Sequence, residues 1–187
     1  IDRIYKVSHL CDGLRVHLAQ YLINSKFAEF WGNELFNQNG INKVDVDYKN
    51  EDEEFWFLAI SKIREENPNF VMMAESYGYE NQEKLLNCGF NYVYEKELLD
   101  KLVYSDVKGF RDLIFNNEFL TSKKMVHFVE NHDEARILHH FWKNERMACA
   151  ASAALLTLPG IRLINFHQWL GYMNQIDVNL RRSYEPH

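Results

Sequence analysis

The sequence contains little cysteine, no cluster of basic residues and no long hydrophobic run, and each absence excludes a class of protein. Its three cysteines, Cys11, Cys88 and Cys149, are too few and too scattered for a disulfide framework or a zinc site. With 21 Lys and Arg against 27 Asp and Glu, the formal net charge is −6, so the concentrated positive surface typical of nucleic-acid binding is missing. The least polar run, Met147 to Leu158, is shorter than the roughly 20 residues that span a bilayer.

The chain has the size and composition of one domain. Its 187 residues are 47% hydrophobic, which is enough for a sizeable core, and no stretch rich in Pro, Gly or Ser divides them. We therefore expect a single domain over residues 1–187. The first residues, Ile1-Asp2-Arg3, do not resemble a signal peptide and include no initiator methionine. These features favour a soluble protein of unknown compartment, and they leave open whether the sequence is a piece of a longer polypeptide.

Five short apolar runs alternate with longer amphipathic segments. Runs of roughly 4–8 residues are typical of buried parallel strands. The runs are Gly13 to Val16, Phe70 to Ala74, Phe90 to Val93, Met125 to Val129, and Arg162 to Phe166. Strands that alternate with helices form parallel sheets with crossover helices. The sequence therefore predicts an α/β fold with about five parallel strands.

Helix signals lie between these runs. Asn50 and Glu53 have the spacing of a capping box, and Trp56, Ala59, Ile60 and Ile63 then share one helical face before Asn67-Pro68 ends the helix. Further helices are predicted at Gln82 to Leu86, Val107 to Ile114 and Arg146 to Thr157. The stretch from Trp31 to Asn50, rich in Asn, Gly and Asp, predicts a long loop.

Polar side chains follow three of the predicted strands. Arg15 and His17 end the first, Glu75 ends the second, and His132 and Asp133 end the fourth. Because chemistry in parallel α/β folds collects at the carboxyl ends of strands, we expect these five residues to meet at one rim. One such residue alone would be an ordinary loop residue, but the set on successive strand ends favours a functional site.

Three of these segments resemble signature blocks of the alpha-amylase family of retaining glycoside hydrolases. Asp12 to His17 (DGLRVH) resembles the second block, Phe70 to Tyr77 (FVMMAESY) the third, and Phe128 to Arg136 (FVENHDEAR) the fourth. Cys88 to Tyr94 and Leu158 to Phe166 are similar to the sixth-strand and eighth-strand regions. The resemblance implies a (β/α)8 TIM barrel of which this chain supplies strands four to eight, that is, the C-terminal portion of the catalytic barrel.

The resemblance also implies roles for individual residues. Glu75 matches the general acid, and Asp133 matches the catalytic Asp that stabilises the transition state. Arg15 and His132 match the substrate-binding positions. Further candidates, for sugar stacking, are Tyr77, Tyr79 and Trp169. The nucleophile position is occupied by His17 where the family has Asp.

The substitution at position 17 bears directly on activity. Retaining hydrolysis needs two carboxyl groups about 5 Å apart, one attacking the anomeric carbon and one protonating the leaving oxygen. An imidazole supplies no anion, and beside Glu75 it would favour the ionised carboxylate over the acid. We therefore expect an impaired or inactive site that retains α-glucan or maltooligosaccharide binding.

Two further hypotheses remain open. One is an interaction subunit, because five strands cannot close a barrel and a protein partner or the missing barrel half would have to cover the sheet edges. The other is an active hydrolase or transglycosylase with the rest of the barrel supplied elsewhere.

Gln20-Tyr21 stands where many family members carry Lys-His for substrate and calcium. We therefore assign no metal, and we expect no cofactor.

Overall fold

The computed structural model describes residues 1–39 and 53–175, with side chains described for 1–32 and 53–175. The helices are α1 (Asp2–Ser8), α2 (Asn24–Asn39), α3 (Phe55–Glu66), α4 (Tyr79–Asn87), α5 (Glu97–Val103), α6 (Val107–Asn116), α7 (Ile137–His140) and α8 (Glu145–Leu156). The strands are β1 (Gly13–Val16), β2 (Val71–Ala74), β3 (Tyr92–Glu95), β4 (Met125–His127) and β5 (Ile161–Arg162). Short 3-10 helices cover Ala19–Leu22 and Gln168–Leu170.

The fold class is α/β with a five-stranded parallel sheet, as the alternation of apolar and amphipathic segments predicts. The chain divides into two compact units, Ile1–Tyr94 and Glu95–His187, which are described in turn. Among the described residues, no helix combines the length and the apolar character that crossing a membrane takes.

In the first unit, β1 pairs with β2 and β2 pairs with β3, both in parallel. Gly13 allows the close approach of β1 to β2, because a Cβ at this position would lie 2.6 Å from the carbonyl oxygen of Val71. Helix α3 buries the predicted apolar face in this unit's core. The four residues of that face, Trp56, Ala59, Ile60 and Ile63, are each at most 2% exposed. It ends at Glu66, immediately before Asn67-Pro68, which confirms the predicted stop.

In the second unit, β4 and β5 pair in parallel, with Val126 opposite Ile161. The core is formed by β4 together with apolar residues of α5, α7 and α8, including Leu98, Ile137 and Leu155. The turn before β5 depends on Gly160, whose φ is +125° and where a Cβ would lie 2.4 Å from the carbonyl oxygen of Met125. Only glycine fits this turn without strain.

Three predictions made from the sequence need correction. Residues 31–39, predicted as loop, belong to α2; the rest of that stretch lies outside the described residues. Helix α3 begins at Phe55 with Glu54 as its N-cap rather than at a capping box of Asn50 and Glu53; Asn50 also lies outside the described residues. The last three strands are displaced or shorter than predicted, since β3 ends at Glu95, β4 at His127 and β5 at Arg162.

Candidate functional site

The pairing of β1 with β2 brings the polar strand ends of the first unit together. Val16 lies opposite Ala74 in the parallel register, so the residues that follow, His17 and Glu75, are neighbours. Two backbone hydrogen bonds continue the ladder past the strands: the Glu75 N–H donates to the Val16 carbonyl (2.9 Å), and the Ala19 N–H donates to the Glu75 carbonyl (2.8 Å). The main chain therefore holds both strand ends in place.

The Glu75 carboxylate is the centre of this arrangement. Its Oε2 lies 2.9 Å from Arg15 Nη2 and 2.5 Å from His17 Nδ1, and it accepts a hydrogen bond from the Leu18 N–H at 3.1 Å. Its Oε1 accepts from the Tyr77 hydroxyl at 3.0 Å. The Glu75 side chain is 2% exposed, whereas that of His17 is 62% exposed. Both carboxylate oxygens are therefore engaged with protein groups.

Two residues that the sequence analysis did not single out complete this group. Tyr94, at β3, accepts a hydrogen bond on its hydroxyl from Arg15 Nε at 3.3 Å, and the guanidinium carbon lies 5.4 Å from the Tyr94 ring centroid. Leu18 has left-handed backbone with φ 45°, which is uncommon for a leucine and directs its N–H to Glu75. No sequence signal identifies either role, because both depend on the pairing of distant strands.

The groups around Glu75 point hydrogen-bond donors at its side chain. A guanidinium and a backbone N–H donate to Oε2, and the imidazole is near enough to do the same. Both oxygens of Glu75 therefore have protein partners, whereas the His17 side chain is 62% exposed. This group of the first unit can thus bind and orient a ligand through the exposed His17.

In the second unit, His132 and Asp133 form a pair of their own. His132 Nε2 lies 2.9 Å from Asp133 Oδ2, with the side chains 34% and 48% exposed. The sequence predicted that they end the fourth strand, but β4 stops at His127. They lie in the loop that follows, on a turn made by Asn131, whose Oδ1 accepts from the N–H groups of Asp133 and Glu134, both at 2.8 Å.

A buried polar network supports this loop and was not foreseen from the sequence. Glu130 is completely buried; its Oε1 pairs with Arg136 Nη1 at 2.5 Å, and its Oε2 accepts from the Ile137 N–H at 2.7 Å. Asn165, after β5, donates from Nδ2 to Glu130 Oε1 (3.2 Å) and to the Asn131 carbonyl (3.3 Å). The loop is therefore held by side chains from both of its ends and from the segment after β5.

The structure thus places the predicted site residues in two groups. Arg15, His17, Glu75 and Tyr77 meet in the first unit, and His132 and Asp133 meet in the second. That the two groups form one site stays a prediction, as do the roles assigned to each residue.

The remaining candidates for sugar stacking lie elsewhere. Tyr79 is the first residue of α4 and is 44% exposed, and Trp169 is 68% exposed. Trp169 lines an apolar cavity of about 590 Å³ in the second unit, together with Leu138, Leu156 and Ile164.

This chain resembles known proteins in its fold. No protein-family model and no curated protein matches the sequence. The fold matches an alpha-amylase from H. orenii (TM-score 0.65, 18% identity, 94% of this chain and 34% of the other). It also matches an alpha-amylase from Lactobacillus plantarum with a TM-score of 0.64 at 20% identity, over 97% of this chain and 41% of the other. A cyclic alpha-maltosyl-(1→6)-maltose hydrolase from Arthrobacter globiformis, in complex with maltose, matches with a TM-score of 0.60 at 15% identity (93% and 36%).

These similarities concern the fold. Over most of its length the chain matches alpha-amylase-type catalytic domains, and its five parallel strands are consistent with part of a TIM barrel. The chain spans only about a third to two fifths of the length of the structures it matches.

Proposed function

We propose that this chain is part of an alpha-amylase-type domain that binds α-glucan without hydrolysing it. The observation that carries the proposal is the contact of His17 with Glu75, in which Nδ1 lies 2.5 Å from Oε2. His17 occupies the position where the resembled family has its nucleophilic Asp, and Glu75 the position of its general acid. An imidazole and a carboxylate thus stand where retaining hydrolysis uses two carboxyl groups.

The loss of activity follows from charge. The nucleophile must be an anion that meets the positive charge developing at the anomeric carbon, and His17 cannot supply one. The acid must direct a proton at the leaving oxygen, and both oxygens of Glu75 already have protein partners. One substitution therefore removes the nucleophile, and the contacts around Glu75 occupy the oxygens that the acid would use.

Retained binding is supported by the part of the arrangement that keeps the family's residue types. His132 and Asp133 are paired and partly exposed, so their remaining donors and acceptors are accessible to sugar hydroxyls. The similar hydrolase from Arthrobacter globiformis is described in complex with maltose. We extend the sugar class, a maltooligosaccharide, from that protein to this chain as part of the proposal.

Titration calorimetry with maltoheptaose tests the binding. We expect the wild-type chain to bind and Asp133→Ala to bind at least tenfold more weakly, because a carboxylate that accepts from sugar hydroxyls is removed. Asp112→Ala is the matched control, since Asp112 is an exposed carboxylate of α6, and it should bind as the wild type does. Absence of binding heat from the wild-type chain would remove the proposal.

A reducing-sugar assay on starch tests the inactivity. We expect no turnover from the wild-type chain, and His17→Asp, which returns a carboxylate to the nucleophile position, is the variant that would regain it where the rest of the barrel is present. Release of reducing sugar by the wild-type chain that is abolished in His17→Gln would instead support the active hydrolase with an unusual nucleophile.

An interaction subunit is the second candidate, and exposed surface of the first unit favours it. Among the described strands β1 pairs with β2 alone, so one of its edges has unpaired backbone groups. The same unit has an aromatic surface, which we define as Tyr21, Phe27, Phe30 and Trp31, each 38–52% exposed. A protein partner, or the remaining part of a barrel, would cover both features.

A further inference from the structure

We propose that Asn131 is the positioning residue of the His132–Asp133 pair, and that Asn165 connects its turn to the segment after β5. Asn131 touches no reacting group in this proposal; it acts by fixing the backbone from which Asp133 projects. The proposal rests on the proposed function for its ligand, a maltooligosaccharide, but its structural half is tested without any ligand.

The geometry of the turn carries the first step. Asn131 Oδ1 accepts from two successive N–H groups, those of Asp133 and Glu134, both at 2.8 Å. A side-chain oxygen that closes such a turn replaces the backbone acceptor that the chain lacks after a strand has ended. Since Asn131 is 2% exposed, water does not compete freely for its oxygen. The φ and ψ angles around His132 and Asp133 are therefore tied to one buried amide.

The second step is how Asn131 itself is held. Its carbonyl accepts from Asn165 Nδ2 at 3.3 Å, and the same Nδ2 donates to Glu130 Oε1 at 3.2 Å. Glu130 is in turn fixed by Arg136 Nη1 and by the Ile137 N–H. The contacts that are made hold the Glu130 side chain and the Asn131 carbonyl beneath the turn. The network is not fully paired, since Asn131 Nδ2 and Arg136 Nη2 are buried without a hydrogen-bond partner.

The closed turn should lower the conformational cost of binding. The exposed Asp133 carboxylate lies on a loop, and an exposed loop side chain loses conformational freedom when it binds a ligand. A turn that is closed before the ligand arrives removes part of that cost. Opening the turn should therefore weaken the binding that goes through the His132–Asp133 pair.

A double-mutant cycle on maltoheptaose binding tests this coupling. We expect Asn131→Ala to weaken binding about tenfold, and the further loss in Asn131→Ala/Asp133→Ala relative to Asp133→Ala to be clearly smaller than tenfold, because Asn131 acts in part through Asp133. Asn131→Asp keeps an oxygen that accepts both N–H groups and should bind within about threefold of the wild type. A double variant that is weaker than Asp133→Ala by the full effect of Asn131→Ala would overturn the proposal.

Amide hydrogen exchange of the ligand-free chain is the independent measurement. The amides of Asp133 and Glu134 should be protected in the wild type and in Asn131→Asp, and should exchange at least tenfold faster in Asn131→Ala, while the amides of α8 stay unchanged. Equal exchange in wild type and Asn131→Ala would exclude the turn as the positioning device. If the wild-type chain fails to bind maltoheptaose while the exchange result holds, the proposed function fails and the role of Asn131 in the turn stands.

Discussion

At the scale of single residues, Glu54 is a buried carboxylate that connects three elements of the first unit. It is 1% exposed, and its Oε1 pairs with Lys84 Nζ of α4 at 2.7 Å. Its Oε2 accepts from the Asn24 N–H, at the start of α2, at 2.9 Å. It also precedes α3 as its N-cap residue. The two partners differ in their access to water. Lys84 is 29% exposed and can be hydrated when its partner is removed, whereas the buried Glu54 carboxylate cannot.

We predict that Lys84→Met costs more stability than Glu54→Gln. The first variant leaves a buried carboxylate without its cation, at about 3 kcal/mol; the second leaves an ammonium that reaches water and keeps an acceptor for Asn24, at about 1 kcal/mol. The double variant should lose less than the sum, since neither charge is left alone. Urea unfolding measures all three, and a larger loss in Glu54→Gln than in Lys84→Met would contradict the argument.

His140 is a half-buried side chain whose titration contributes to the stability of the second unit. Burial lowers the pKa of this half-buried side chain from its ordinary value of 6.5, with Glu134, Asp100 and Glu130 opposing that shift and Lys96 adding to it. Because the unfolded chain takes up the proton at a higher pH than the folded one, the free energy of unfolding falls as the pH drops below about 6.5.

We therefore predict that the wild-type chain loses more thermal stability between pH 7.5 and 5.5 than His140→Gln does. Glutamine has a similar length and no proton to gain in this range, so the difference between the two melting curves isolates His140. Differential scanning fluorimetry at several pH values is sufficient. Parallel melting temperatures for the two proteins over the range would show that His140 contributes no linkage.

At the scale of elements, α6 is a helix stabilised at its N-terminus by the side chain of Asp106. Asp106 caps it, since Oδ1 accepts from the Gly109 N–H at 2.8 Å and Oδ2 lies 3.0 Å from Lys101 Nζ. The Gly109 hydrogen bond, followed by Lys101, lowers the pKa of Asp106 from 3.8. This stabilisation is present above about pH 4 and is lost as the pH falls through the lowered pKa of the folded state.

Asp106→Asn and Asp106→Ala separate the cap from the charge. We predict that both are less stable than wild type at pH 7, with alanine the worse because it removes the acceptor of the Gly109 N–H. At a pH below the lowered pKa, wild type should approach Asp106→Asn, while the deficit of Asp106→Ala persists. Thermal unfolding followed by circular dichroism measures this, and a pH-independent gap between wild type and Asp106→Asn would refute the charge contribution.

Helix α2 shows why part of the fold could not be predicted from the sequence. Its Asn and Gly content is typical of loops, yet residues 24–39 form a helix. At its first residue, the Asn24 N–H donates to Glu54, and Asn24 Oδ1 accepts from the Phe55 N–H at 3.3 Å. These contacts join residues about 30 positions apart, so no local window contains the signal. Helix α3, in contrast, was predictable because its apolar face is local.

The same distinction applies to the candidate site. Arg15, His17 and Glu75 were predictable as neighbours, because strand ends of a parallel pair meet and the segments around them resemble known blocks. The partners that set their chemistry, Tyr94 and the Leu18 N–H, depend on strand pairing and on an unusual backbone angle. The sequence thus indicated which residues meet in the first unit, and the structure supplied the contacts that make Glu75 an acceptor.

At the scale of the whole molecule, the aromatic surface of the first unit is the feature that a soluble domain would normally cover. Phe30 and Trp31 are 52% and 49% exposed, and Tyr21 packs edge-on against Phe30 with centroids 4.9 Å apart. Aromatic residues that are adjacent and exposed favour contact with another apolar surface. If the chain is an interaction subunit, this surface should control its association.

We predict that the purified 22.3 kDa chain associates, with itself or with a stoichiometric partner, and that Phe30→Gln/Trp31→Gln shifts it towards the monomer. The double variant removes ring surface at exposed positions of α2 and should leave the melting temperature nearly unchanged, which distinguishes lost association from lost folding. Val107→Gln, at a 68% exposed aliphatic position of α6, is the control and should associate as wild type does. Sedimentation velocity reports the masses, and a monodisperse wild-type monomer at every concentration would count decisively against the interaction subunit, because an uncovered surface of this kind would then be stable in water on its own.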